Sequence, residues 1–193
     1  MPNRNSRFAH ALAWANDKHW DQRRNGTEIP YISHLLAVTS LVMENGGNED
    51  ECIAALLHDT LEDCEDVNRE VLTQRFGDRV ADIVYALSDA DIAPGESKGP
   101  WEERKVRYLK HLRECGDGSV LLVSNADKLH NATSILRDLR DPEVGEAVWD
   151  RFVVARSKTL WYYESLTEIF AEFSPARRLA RELSEVVSAL RAH

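Results

Sequence analysis

Cysteine is scarce and badly placed for cross-linking. The three, Cys52, Cys64 and Cys115, are odd in number and unevenly spaced, which argues against both a disulfide framework and a cysteine metal motif and fits a reducing compartment. Long apolar runs are missing as well. No stretch reaches eighteen apolar residues, and Met1-Pro2-Asn3-Arg4-Asn5-Ser6-Arg7 lacks the apolar core of a signal peptide, so the expectation is a soluble, cytoplasmic protein. Positive charge is in deficit: 24 Lys and Arg against 33 Asp and Glu leave a net charge of −9. That argues against general affinity for nucleic acid, whose phosphates need a basic face, and membrane spans are not expected either. A small anionic substrate stays open, because the field within a Debye length of a site, about 8 Å in physiological salt, decides that case. Strand-like alternation of polar and apolar residues persists nowhere.

Helical periodicity is what the chain has in place of these things. Turns marked by Asn25-Gly26, Asn45-Gly46-Gly47, Phe76-Gly77-Asp78, Gly116-Asp117-Gly118 and Asp141-Pro142 separate helices expected near 5–24, 31–45, 48–63, 67–76, 78–89, 101–114, 118–139, 143–172 and 175–191. The fold class is therefore all-α, a helical bundle. With 43% hydrophobic residues in 193, the chain can bury one good core, so residues 1–193 read as a single domain, with its core over about 7–172. The stretch from Asp89 to Pro100 cannot sustain a helix and reads as an exposed loop, either a cover for a pocket or a plain linker. Trp149, Phe152, Trp161, Tyr162 and Tyr163 fall on one long expected helix as core or oligomer contacts. The amphipathic C-terminal helix, about 175–191, carries Leu179, Leu183, Val186, Val187 and Leu190 among charges. It has two uses open to it, capping the bundle or pairing subunits as a homo-oligomer.

Chemistry enters where buried-looking helices turn abruptly polar. Cys52-Ile53-Ala54-Ala55-Leu56-Leu57 runs into His58-Asp59-Thr60-Leu61-Glu62-Asp63; Val120-Leu121-Leu122-Val123 runs into Ser124-Asn125-Ala126-Asp127-Lys128; and His34 follows Pro30-Tyr31-Ile32-Ser33 at the opening of a third helix. At 3.6 residues per turn, His58 precedes Glu62 and Asp59 precedes Asp63 by one turn, which puts the four on one helical face. An imidazole and a carboxylate there can hold an ion, with two further carboxylates close by. Nitrogen and oxygen donors without thiolate favour manganese, iron or zinc over calcium, and an open six-coordinate site over a closed tetrahedral one. Acidic residues near a helix end are usually solvated surface. Here they also oppose the helix macrodipole, so capping is a poor explanation for them.

These residues resemble the HD-domain superfamily of metal-dependent phosphohydrolases, and within it the hydrolase domain of RelA/SpoT homologues and the small alarmone hydrolases. The resemblance rests on Gln22-Arg23-Arg24, Pro30-Tyr31-Ile32-Ser33-His34, His58-Asp59-Thr60-Leu61-Glu62-Asp63, Phe76-Gly77, Glu103-Arg104-Lys105 and Ala126-Asp127-Lys128-Leu129-His130-Asn131, over roughly residues 7–140. No Gly-Tyr-Pro, the mark of the cyclic-di-nucleotide branch, occurs. The resemblance implies an HD-domain bundle with the metal site at its centre. It also implies an enzyme that removes pyrophosphate from the ribose 3′ position of a hyperphosphorylated purine nucleotide, ppGpp or ppApp, the alarmones of the stringent response, with manganese or another divalent ion as cofactor. Position by position, His34, His58, Asp59 and Asp127 are the implied metal ligands, and Glu62 and Asp63 the catalytic carboxylates. Arg24, Lys128 and Asn131 are the implied substrate contacts, with Arg104 and Lys105 as more distant candidates.

Two departures bear on substrate choice. The position after Arg24, often lysine in the family, is Asn25, and Ala132-Thr133-Ser134 stands where an arginine and a threonine are frequent. His130 matches no ligand position and reads as a packed neighbour of the site. The alternative function is an HD nucleotidase or another nucleotide phosphohydrolase, and a noncatalytic nucleotide sensor ranks below it because both carboxylates are present.

Overall fold

The computed structural model describes residues 7–88 and 99–193, and its helices divide into two compact units, one in each segment. In the first unit α1 (Arg7–Lys18) buries Ala11 and Ala15, whose small side chains let α3 (Glu49–Leu57) pack against it. α2 (Ile32–Glu44) and α6 (Asp78–Leu87) also pack on α3, while α5 (Arg69–Phe76) lies on α6. This central position explains why α3 is apolar all round from Cys52 to Leu57. Ile53, Leu56 and Leu57 are fully buried, each contributing about 1.5–3 kcal/mol. A short α4 (Thr60–Asp63) follows α3.

In the second unit α8 (Gly118–Arg140) is the long element, buried without interruption from Ser119 to Asp127. α9 (Arg156–Phe173) and α10 (Arg177–Ala192) pack on it, and α7 (Trp101–Glu114) packs on α9. Leu179, Leu183, Val187 and Leu190 form the buried stripe of α10, so within this unit the C-terminal helix packs on α8 and α9. Among the described residues there is no β-strand, only the isolated bridge between Arg23 and Pro30. The all-α expectation holds. No helix among the described residues is long and apolar enough to cross a membrane.

Three expected helices are shorter or broken. The first stops at Lys18, because Arg24 N–H donates to the Ile29 carbonyl and Tyr31 N–H to the Gln22 carbonyl, drawing residues 22–31 into a hairpin whose tip holds Gly26 at φ 69°. The span 48–63 is interrupted at His58-Asp59. There the His58 ring donates to the Ala55 carbonyl and the Thr60 hydroxyl to that of Leu57, two side chains engaging helix acceptors. The span 143–172 begins as a 3-10 turn at Gly145–Arg151 and becomes α-helical only at Arg156. The loop expected over 89–100 lies, for residues 89–98, outside the described residues.

Candidate metal centre

The hairpin delivers the chain into α2 through Pro30 and Tyr31, whose carbonyls accept from Ser33 and His34. Tyr31 and His34 therefore share a side, their rings in edge contact at 5.6 Å. His34 is 1% exposed, His58 5%. The two imidazoles meet edge to face at 5.2 Å, and Asp59 completes the group: one ligand atom from each of the three residues lies within 4.8 Å of the others. Asp59 Oδ2 is 2.9 Å from His58 Nε2 and 3.7 Å from His34 Nε2.

Hydrogen-bond logic shows what this arrangement requires. His58 Nδ1 lies 2.9 Å from the Ala55 carbonyl, which can only accept, so Nδ1 carries the proton and Nε2 of the neutral ring offers a lone pair. That lone pair faces a carboxylate oxygen at 2.9 Å. Two acceptors so close need a shared cation, either a proton on His58 or a metal ion. A backbone acceptor fixing the far nitrogen of a histidine is the usual support of a metal ligand. The two nitrogens and one oxygen fit a divalent ion of the manganese, iron or zinc type. The cluster contains no cysteine sulfur; burial, then the Asp63 carboxylate, pushes the Cys64 thiol up to about 11.

Two further interactions organise the rim. The Tyr31 hydroxyl donates to Asp59 Oδ2 at 2.6 Å, and Gln22 Nε2 donates to Asp63 Oδ2 at 2.9 Å. Asp63 is exposed and Glu62 half-buried, both on α4. His19, only 2% exposed, bonds through Nδ1 to Gln22 Oε1 and stacks on the Tyr31 ring at 5.1 Å. The Arg24 guanidinium sits 5.7 Å from the centroid of that ring. Tyr31, His19 and Gln22 had no separate roles in the sequence reading. Their signal was adjacency: they lie inside the stretch that carries Arg24 and His34.

Asp127 belongs to the second unit, 6% exposed on α8. Asn131 Nδ2 donates to its Oδ1 at 2.5 Å and Lys128 Nζ to its Oδ2 at 2.6 Å, so both oxygens are oriented by residues of the same helix. Burial disfavours the charge on Lys128, yet the Asp127 carboxylate beside it holds the ammonium above its ordinary range. Its Nζ also lies 5.5 Å from the Tyr108 ring centroid, and the Tyr108 hydroxyl pairs with Ser124 Oγ at 2.8 Å. Lys105 stands over the Tyr162 ring at 5.2 Å, and Arg104 bonds the Gly99 carbonyl. His130 is half-buried.

Comparison with known proteins adds the family. A model described as HD domain matches residues 11–152. The guanosine-3′,5′-bis(diphosphate) 3′-pyrophosphohydrolase MESH1 of Xenopus tropicalis is 38% identical over 133 residues, 67% of this chain and 68% of that protein. A guanosine-3′,5′-bis(diphosphate) 3′-pyrophosphohydrolase of Aquifex aeolicus is 36% identical over 125 residues, 65% of this chain; the chain spans only 17% of that longer protein. Among solved structures, one described as a metazoan ortholog of SpoT that hydrolyzes ppGpp superposes with TM-score 0.75 at 22% identity, over 97% of both chains, a likeness of fold. A protein of Listeria monocytogenes EGD-e gives TM-score 0.69 at 28% identity, covering 83% of this chain and 99% of its own.

Proposed function

The chain belongs to the HD-domain family, and from that membership we propose that it is a metal-dependent 3′-pyrophosphohydrolase of hyperphosphorylated purine nucleotides of the ppGpp or ppApp type, acting in the cytoplasm as a single hydrolase domain over residues 1–193. The observation that carries the proposal is the approach of His58 Nε2 to Asp59 Oδ2 at 2.9 Å with His34 beside them, a nitrogen and oxygen set that calls for a cation. His34, His58, Asp59 and, by resemblance, Asp127 are the proposed ligands, and manganese the proposed ion. When bound, a divalent ion supplies Lewis acidity, easing deprotonation of water and offsetting phosphate charge.

The chain's own residues do the rest. Water adds to the phosphorus attached to the ribose 3′ oxygen and that P–O bond breaks. The products are inorganic pyrophosphate and a nucleoside 5′-diphosphate with a free 3′ hydroxyl. Glu62 and Asp63 manage the protons, one taking the proton of the attacking water and the other serving transfer to the 3′ oxygen. Gln22 keeps Asp63 aimed through its 2.9 Å hydrogen bond. Arg24 supplies a planar cation for phosphate oxygens or the purine face, while Lys128 and Asn131 add a second cation and an amide.

Ion-exchange chromatography of products tests this directly, with metal-stripped protein mixed with ppGpp or ppApp, with and without manganese. Manganese-dependent release of pyrophosphate is the expected result, and the faster substrate identifies the purine. Orthophosphate or triphosphate instead would make the chain a nucleotidase or another phosphohydrolase of the same family.

A further inference from the structure

We infer that Tyr31 is a positioning residue of the metal centre, its hydroxyl fixing the Asp59 carboxylate that both histidines face. The inference rests on the metal reading above and adds to it a residue outside the ligand set. Asp59 needs such a partner. It sits at the step between α3 and α4, where side chains engage the helix carbonyls, and its side chain is 22% exposed, so the helix alone does not settle the direction of its carboxylate. The Tyr31 contact at 2.6 Å has the length of a hydrogen bond to an ionised oxygen. It meets Oδ2, the same oxygen that faces His58 and His34.

The tyrosine is itself held on several sides. His19 stacks on the ring with planes 25° apart, His34 meets it edge-on, and Arg24 lies over it. Its backbone N–H donates to the Gln22 carbonyl at 3.0 Å. His19 is locked in turn by a chain of donors whose order has only one solution. The Asp63 carboxylate can only accept, so the Gln22 amide turns its NH2 toward it, and Oε1 is left to accept from His19 Nδ1–H. Residues 19–31, together with His34, thus hold the ring and deliver its hydroxyl to Asp59. A role in packing alone would account for the ring; it would not account for the oxygen. Supporting partners of metal ligands are worth roughly 10- to 100-fold in metal affinity.

The test is manganese titration of the metal-stripped full chain in competition with a fluorescent chelator, for wild type, Tyr31→Phe and Gln22→Met. Tyr31→Phe keeps the ring and its stacking and loses only the hydroxyl, so its manganese dissociation constant should rise about tenfold or more while the metal-free melting temperature stays put. Gln22→Met removes both the bond to Asp63 and the lock on His19 but keeps the Tyr31 hydroxyl, so it should lose less manganese affinity than Tyr31→Phe, and an equal or larger loss would assign the effect to packing of the segment and overturn the role of the hydroxyl. Tyr31→Phe binding manganese as tightly as wild type would overturn the assignment and leave the metal reading standing. Wild type that binds no manganese would remove both. Should Tyr31→Phe melt early without metal, the manganese-induced rise in its own melting temperature carries the comparison: a smaller rise than in wild type supports the role, an equal one refutes it.

Discussion

Both nitrogens of His58 are committed, Nδ1 to the Ala55 carbonyl and Nε2 to the face of Asp59, and the neutral ring therefore has no proton to give where it meets the carboxylate. The charge balance of the site depends on single atoms for this reason. Asp59→Ala removes the oxygen that both imidazoles face, so bound metal and turnover should vanish together, read by metal analysis of the purified protein alongside product assay. Glu62→Gln keeps size and shape but cannot take a proton. Its metal content should match wild type, and kcat should fall by about 100-fold or more, the lower bound of a general acid–base contribution. A Glu62→Gln enzyme with wild-type kcat would exclude that carboxylate from the proton transfers.

At the level of elements, α3 brings His58 to the centre and its start is unusually well tied. Asn48 Oδ1 accepts from the Glu51 N–H at 3.1 Å, and Glu51 Oε2 accepts from the Asn48 N–H at 2.7 Å, a reciprocal capping box. Asn48→Ala should cost about 1 kcal/mol in urea unfolding, with manganese affinity preserved because His58 and Asp59 follow the other end of the helix and the remaining proposed ligands lie on α2 and α8. Most helices were legible in the sequence, since apolar spacing and turn residues report packing directly, as for α2, α7 and α8. What escaped was set by hydrogen bonds rather than by hydrophobicity. The break at His58-Asp59 comes with ring and hydroxyl donors on helix carbonyls, and α1 gives way to a hairpin whose tip the sequence marks at Asn25-Gly26 but whose backbone bonds reach back to Gln22, where the residues still read as helix. The same division holds for the site. His34, His58 and Asp59 stood out because buried polar residues need a reason, whereas Tyr31 and His19 look like ordinary core aromatics until their contacts are known.

For the whole molecule, acidic residues outnumber basic ones, so the anionic substrate proposed for it requires cations concentrated locally where its phosphates would go. Arg24 in the first unit and Lys128 in the second are the proposed instances, each lying against an aromatic ring. Residues Ser119 to Asp127 of α8 are buried without interruption, and backbone so placed exchanges only through opening of the structure around it. They should be among the last in the chain to take up deuterium, and if residues 1–193 fold as one domain, the amides of Cys52 to Leu57 in α3 should keep pace with them at the same limiting rate. Slower uptake in one set than the other would mean that the units open separately. Asp127 closes a stretch of α8 buried residue after residue, whereas Asp59 rides on the step between α3 and α4, so deuterium uptake at its own amide is expected to be slower for Asp127 than for Asp59.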